Sequence, residues 1–152
     1  MKYIIHTDGG ARGNPGPAAV GVVVERQEES KVESQKSKAL ITEFGKRIGE
    51  TTNNVAEYTA VLEGLQNVKC QMSNVKFEDR KQAKIQFFLD SKLVVEQLNG
   101  NFKVKDAKLR ELMIQAKILE QEVGGVVTYE YVPREKNTRA DWLVNRALDR
   151  QD

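Results

Sequence analysis

The stretch Lys2-Tyr3-Ile4-Ile5-His6-Thr7-Asp8-Gly9-Gly10-Ala11-Arg12-Gly13-Asn14-Pro15-Gly16-Pro17 decides how the rest of the chain is read. Its first half is apolar and β-branched and predicts a strand from Lys2 to Asp8, and its second half is rich in turn residues. An acid at the end of an apolar run loses water and must be compensated. The pattern recurs at Asp90, which ends the run Ile85–Leu89, and at Glu57 and Asp141, which border apolar helical stripes. Four such acids, each in its own element, suggest one shared site for divalent cations.

Outward from that first strand, Val20–Glu25 reads as a second strand, Gln27–Lys38 as a long polar hairpin tip and Ala39–Gly49 as a third strand. Thr51-Thr52-Asn53-Asn54 offers caps for a helix from Val55 to Lys69. Cys70–Lys84 has no sustained period and reads as an extended loop with at most a short helical turn. Ile85–Leu89 has the length of a buried central strand, and Asp90-Ser91 opens a short helix that Asn99-Gly100 stops. Asp106–Val123 is an amphipathic helix with Leu109, Leu112, Met113, Ala116 and Leu119 on one face. Val126–Val132 is a fifth strand, and Asn137 is placed to cap a last helix over Thr138–Leu148. The order predicts an α/β fold: a mixed five-stranded sheet, three antiparallel strands followed by parallel additions, with helices on both faces. Residues 1–152 read as a single domain, without repeats or low-complexity tracts.

Composition narrows the function classes. Charged residues at 30% and apolar residues at 39% suit a water-soluble globular domain. A net charge of +2 neither demands nor excludes nucleic acid. The single cysteine, Cys70, rules out an internal disulfide and a multi-cysteine zinc site, and the single histidine, His6, rules out a His-rich metal site. No apolar run is long enough for a membrane span and no signal-peptide pattern opens the chain, so the expectation is cytoplasmic, without membrane association.

Helical phase separates the acids. Val61, Leu65 and Val68 cluster with Tyr58 and Leu62, and Glu57 borders that stripe while Glu63 falls on the polar face. Asp141 lines up with Val144 and Leu148, while Asp149 points elsewhere. If the strands ending at Asp8 and Asp90 are neighbours, their carboxylates meet, and clustered anions raise one another's pKa unless cations relieve them. All-oxygen ligands favour Mg²⁺ or Mn²⁺. Taken singly, each acid has an ordinary reading: Asp8 as a turn residue, Asp90 as a cap, Glu57 and Asp141 as partners of a helix dipole.

Four segments, in order, resemble the signatures of type 1 ribonuclease H. They are Thr7–Ala18, Thr51–Tyr58, Leu89–Val94 and Asn137–Asn145, which together span nearly the whole chain. The resemblance implies the ribonuclease H-like fold and an endonuclease that hydrolyses the RNA strand of an RNA/DNA hybrid, leaving 5′-phosphates. It implies two Mg²⁺ ions, with Mn²⁺ as a substitute, held by Asp8, Glu57, Asp90 and Asp141. Asn14, Asn53 and Asn54 would lie near RNA 2′-hydroxyls or the hybrid backbone, Thr52 near a DNA phosphate, and Gly9, Gly10 and Gly13 would let backbone and substrate approach. Ser91 joins this substrate-contacting set.

The chain departs from that pattern twice. The basic insertion of many relatives after the third motif is missing; Asn99–Lys105 runs straight into the next helix, and Lys103, Lys105, Lys108 and Arg110 either substitute in part or form a solvated helix entrance. The loop before Asp141 is short and holds no histidine, so Arg134 or Glu135 is a candidate for a supporting role, and Arg139 for a phosphate contact. These departures resemble the archaeal-type, reverse-transcriptase-like branch. His6 reads as a packed strand residue and Trp142 as a core or helix-packing residue. The competing functions are a related nuclease acting on DNA and a hybrid-binding module without catalysis. The expected partner is an RNA/DNA hybrid duplex; no protein partner is implied, and a monomer is expected.

Overall fold

The computed structural model describes residues 1–28, 32 and 37–150. In chain order it contains β1 (Lys2–Ala11), β2 (Gly16–Gln27), β3 (Lys38–Thr51), α1 (Asn53–Gln71), β4 (Lys84–Leu89), α2 (Lys92–Leu98), α3 (Ala107–Val123), β5 (Val126–Tyr131) and α4 (Thr138–Asp149). Short 3₁₀ helices lie at Phe77–Gln82 and Arg134–Lys136. The sheet order is β3-β2-β1-β4-β5. β2 runs antiparallel to β1 and β3, whereas β4 is parallel to β1 and β5 parallel to β4. This is the mixed sheet that the element order predicts.

Neighbouring residues of a strand point to opposite faces, and two adjacent glycines show what covers each face of β1. A Cβ on Gly9 would strike the Ala56 backbone of α1, whereas one on Gly10 would reach only Val144 of α4. So α1 and α4 lie on opposite faces. Beneath α1, Tyr58, Val61, Leu65 and Val68 pack with Ile5, Val22, Val24, Ile85, Phe87 and Leu89, and α3 closes this core with Leu112 and Ala116. Beneath α4, Ala19 meets Val144, Ala147 and Leu148, and Val23 meets Ala140 and Leu143. Each fully buried large aliphatic contributes about 1.5–3 kcal/mol of transfer free energy. Both faces of β2 are thus covered, and Ala18–Val24 reads as an unbroken apolar run.

The caps follow local hydrogen-bonding chemistry. Thr52, rather than the asparagines after it, caps α1, its hydroxyl accepting from the Val55 amide at 3.3 Å. Ser91 caps α2 by accepting from Val94, and Asp106 caps α3 by accepting from Leu109. Asn137 stands at the cap position of α4 but makes no cap bond; its side-chain amide donates to the Thr7 carbonyl of β1 at 2.9 Å.

Several boundaries differ from expectation. β1 continues past Asp8 to Ala11, and β2 begins at Gly16 rather than Val20, because Gly9–Ala11 pair with Val20–Ala18. α1 continues to Gln71, and the Cys70–Lys84 segment holds the longer 3₁₀ helix, braced by Arg80 donating to the Val75 carbonyl at 2.9 Å. Most of the polar hairpin tip falls outside the described residues; Glu28 donates to the Ser37 carbonyl at its base. Glu63 does not simply face water, since it pairs with Lys46 of β3 at 2.9 Å. β3, a 14-residue edge strand, is also tied down by Arg47, which donates to the Leu148 carbonyl, and by Glu43, which pairs with Arg139.

α4 sits close to β2 at Gly21, where an added Cβ would come within 2.2 Å of the Ala140 carbonyl oxygen. Backbone cannot yield as a flexible side chain can, and overpacking of this kind costs about 3 kcal/mol. Gly21→Ala is expected to lower the urea midpoint by a corresponding amount. Gly10→Ala, whose Cβ has room at 3.6 Å, is expected to change stability by less than about 1 kcal/mol. Equal midpoints for the two variants would contradict the placement of α4.

Candidate active site

Parallel pairing of β1 with β4 ends at His6–Phe88, whereas β1 itself continues to Ala11 along β2. Beyond that point the two strands part, and the carboxylates of Asp8 and Asp90 face the opening between them. The first turn of α1 lies directly on β1 at Gly9, where a Cβ would fall 2.2 Å from the Ala56 carbonyl. That contact sets Glu57 beside Asp8. One carboxylate oxygen from each of Asp8, Glu57 and Asp90 lies within 4.8 Å of the other two. Asp8 is 5% exposed and Glu57 7%.

Burial and mutual repulsion act together on these acids. Asp8 is pushed up to about 7, first by burial and then by the Asp90 charge. Glu57 is raised well above the ordinary carboxylate range by burial and by Asp8, despite a backbone hydrogen bond from Gly9 that favours its charged form. Asp90 is raised by burial, with the Arg134 cation opposing. One Glu57 oxygen, Oε2, is buried without a hydrogen-bond partner. A buried, unpartnered carboxylate oxygen beside two further carboxylates is the donor set of a hard divalent cation, and the three residues fit such an ion.

The fourth acid, Asp141, lies at the rim of the same cavity rather than in the tight group. Its Oδ1 is 3.5 Å from the Arg134 guanidinium, and its charge bears on Asp8. The cavity, about 500 Å³, is lined by Gly9, Gly10, Asn53, Asn54, Ser91 and Arg134 together with the four acids. Of the other residues the sequence singled out, Asn14 and Thr52 stand one layer back. Asn14 accepts from the Asn53 amide at 2.9 Å, and Asn53 in turn accepts from the Ala11 amide at 2.8 Å, so the two asparagines stitch the β1–β2 turn to α1. Asn54 lines the cavity with no side-chain partner among the described residues. Glu135 and Arg139 do not line it.

Sequence reasoning missed three polar lining residues: Arg12, Tyr131 and Asn145. Asn145 carried a signal, standing one helical turn after Asp141 and donating to its carbonyl. Tyr131 ends β5, next to the strand that ends before Asp90. Arg12 reaches across to Asp149 at 2.6 Å. One expectation is corrected. Trp142 is not in the core but 45% exposed, with guanidinium groups of Arg139 and Arg146 over its ring. Arg139 is engaged by Glu43. His6 is packed as expected, stacked on Phe88 with ring centroids 5.0 Å apart.

No helix among the described residues is long and apolar enough to cross a membrane. The sequence model of the family described as "Reverse transcriptase-like" matches residues 6–147. Among curated relatives, the bifunctional protein Rv2228c of Mycobacterium tuberculosis is 42% identical over 98% of this chain and 36% of its own length. Ribonuclease HI of Halobacterium salinarum is 37% identical over 93% of this chain and 62% of its own. The chain therefore spans about a third to three-fifths of these relatives. The solved structure of LC11-RNase H1 in complex with an RNA/DNA hybrid superposes with a TM-score of 0.80 at 39% identity, over 97% of this chain and 96% of that one. With a family match over most of its length and relatives of this similarity on the same fold, the chain belongs to the type 1 ribonuclease H family, in its reverse-transcriptase-like branch.

Proposed function

We propose that this chain is a metal-dependent endoribonuclease that hydrolyses the RNA strand of RNA/DNA hybrids and leaves 5′-phosphate ends. The observation that carries the reading is the convergence of Asp8, Glu57 and Asp90 in a cavity where Glu57 Oε2, buried, and the Asn54 amide have no hydrogen-bond partner among the described residues.

Asp8, Glu57 and Asp90 would hold divalent cations, with Asp141 completing the set from the rim. Mg²⁺ ions bound there, two in this reading and replaceable by Mn²⁺, would polarise the phosphoryl oxygen and help to activate the attacking water. The protein's own part is positioning. Gly9 and Gly10 put no side chain between β1 and the cavity, and Ser91 fixes the start of α2 beside Asp90. Asn54 can hydrogen-bond a ribose 2′-hydroxyl, which DNA lacks. Asn14 and Asn53 hold the turn that frames this contact, and Thr52, which caps α1, is the candidate for a DNA phosphate contact beyond it. Arg134 provides a largely exposed cation beside Asp90 and Asp141, where it would balance charge as the acids exchange metal and product. Glu135, exposed on the same turn, would play a lesser supporting part.

The raised acids link metal to stability. Asp8 titrates near 7 in the folded chain and near 3.9 when unfolded. Between those values the folded state holds a proton that the unfolded state has released, so metal-free stability falls as pH rises from about 4 to about 7. A divalent cation held by Asp8, Glu57 and Asp90 would take the place of the proton and restore stability above that window.

Asp8→Asn is expected to lower hybrid cleavage by about 100-fold or more, at least ~2.7 kcal/mol of barrier. The assay compares hybrid, duplex DNA and duplex RNA with and without Mg²⁺; cutting of duplex DNA in preference to hybrid would favour the DNA-nuclease alternative. Calorimetry without metal should show a Tm that drops between pH 5 and pH 8 and recovers with Mg²⁺ at pH 8. The same substitution should raise the metal-free Tm at pH 8 by about 3 °C or more and flatten the pH slope. A Tm indifferent to both pH and Mg²⁺ would contradict the metal assignment.

A further inference from the structure

Helix α4 turns two chemistries outward. Ala140, Leu143, Val144, Ala147 and Leu148 are buried against the sheet. Arg139, Trp142, Arg146 and Arg150 recur at helical spacing on the other side, Arg150 just past the helix end. Trp142 is 45% exposed, yet it is not loose. The Arg139 guanidinium lies 4.3 Å from its ring centroid and is itself held by two bonds to Glu43 of β3. The Arg146 guanidinium lies 5.1 Å from the same centroid. Cation–aromatic attraction, about 0.5–1 kcal/mol at an exposed site, therefore favours the direction in which Arg146 presents its charge. Neither Arg146 nor Arg150 makes a salt bridge among the described residues, and the nearby Asp149 is paired with Arg12.

Beside the indole runs a groove of about 350 Å³ lined by Trp142, Asn145, Arg146, Asp149 and Arg150. Asn145 also lines the acidic cavity, so the groove and the cavity adjoin at that residue. An acidic cavity repels phosphate, and a strand that enters it must be held by cations on either side. Arg146 is five residues beyond Asp141, about 7.5 Å along the helix axis at 1.5 Å per residue. That axial rise alone equals about two nucleotides of a strand rising 3.4 Å per charge, and five residues also turn the side chain about 140° around the helix.

The geometry points to this arginine–tryptophan ledge as an anchoring site for the RNA strand of a hybrid, gripping its backbone about two nucleotides or more from the cut. It rests on the nuclease reading above. Arg146 and Arg150 contact phosphate, Trp142 packs against the sugar edge and orients Arg146, and Arg139 with Glu43 positions the indole.

The test uses Arg146→Gln/Arg150→Gln, with Lys81→Gln/Lys84→Gln as a control that removes equal charge beside a different cavity. On long hybrids the ledge variant is expected to raise KM about 5–20-fold at unchanged kcat, and Trp142→Ala by a smaller factor, with the control within about twofold of the parent. Without metal, binding to hybrid should lose about one to two units of slope in log Kd against log salt, near 0.9 per phosphate contact. The KM penalty should vanish on hybrids whose RNA ends at the first nucleotide on the ledge side of the cut. KM and salt slope equal to the control's, or a fall in kcat alone, would overturn the ledge. A parent that binds hybrid with the expected difference in slope but does not cleave it would overturn the nuclease reading and leave the ledge standing as a binding site.

Discussion

The approach of α1 to β1 at Gly9 governs the rest of the molecule. A side chain there would strike the Ala56 and Glu57 backbone, so only glycine lets the helix start where it does. The approach closes the core over Ile5 with Tyr58, Val61 and Leu65, and it buries Glu57 against Asp8. Folding thus forces together two acids that would otherwise stay apart in water. The apolar burial under α1 supplies the stabilisation, and the acids carry the resulting electrostatic cost as raised pKa values. Carboxylates crowded in this way favour whatever relieves their charge, a proton or a divalent cation.

The second constraint comes from the sheet. β4 stops pairing with β1 at Phe88, while β1 is carried on by β2. The parting of the strands makes the cavity, and the side-chain amide of Asn137 reaches back to the Thr7 carbonyl to hold α4 against its floor. Asn137 therefore does more for the site as a tether between α4 and β1 than it would as a helix cap.

Much of this was legible in the sequence because chemistry and period agreed. Glu57 and Asp141 were separated from Glu63 and Asp149 by helical phase alone, and the three antiparallel strands followed by parallel ones came from element order. The failures have physical reasons. Gly9-Gly10 reads as a turn by composition, but its backbone pairs with Ala19 and Val20, a tertiary fact that local propensity does not contain. Trp142 was read as a core or helix-packing residue, although its helical phase lies off the stripe of Ala140, Leu143, Val144, Ala147 and Leu148. Phase was the better guide. The bracing of Asn14, Asn53 and Ala11 joins elements far apart in sequence, and no local pattern marks it.

The attachments of β3 bear on how its open edge meets other chains. A 14-residue strand at a sheet edge offers a row of unpaired amides and carbonyls to any passing chain, and long flat edges of this kind seed aggregation. Here Glu43, Lys46 and Arg47 are each bound to a helix of the same molecule, and the β2–β3 register shifts at Ala18/Ala19 and Val24/Glu25. Such irregularities increase local twist and spoil the match to a flat incoming strand. The pairs that look like modest surface salt bridges therefore also act as guards on colloidal behaviour, a property that stability measurements on the isolated fold would not register.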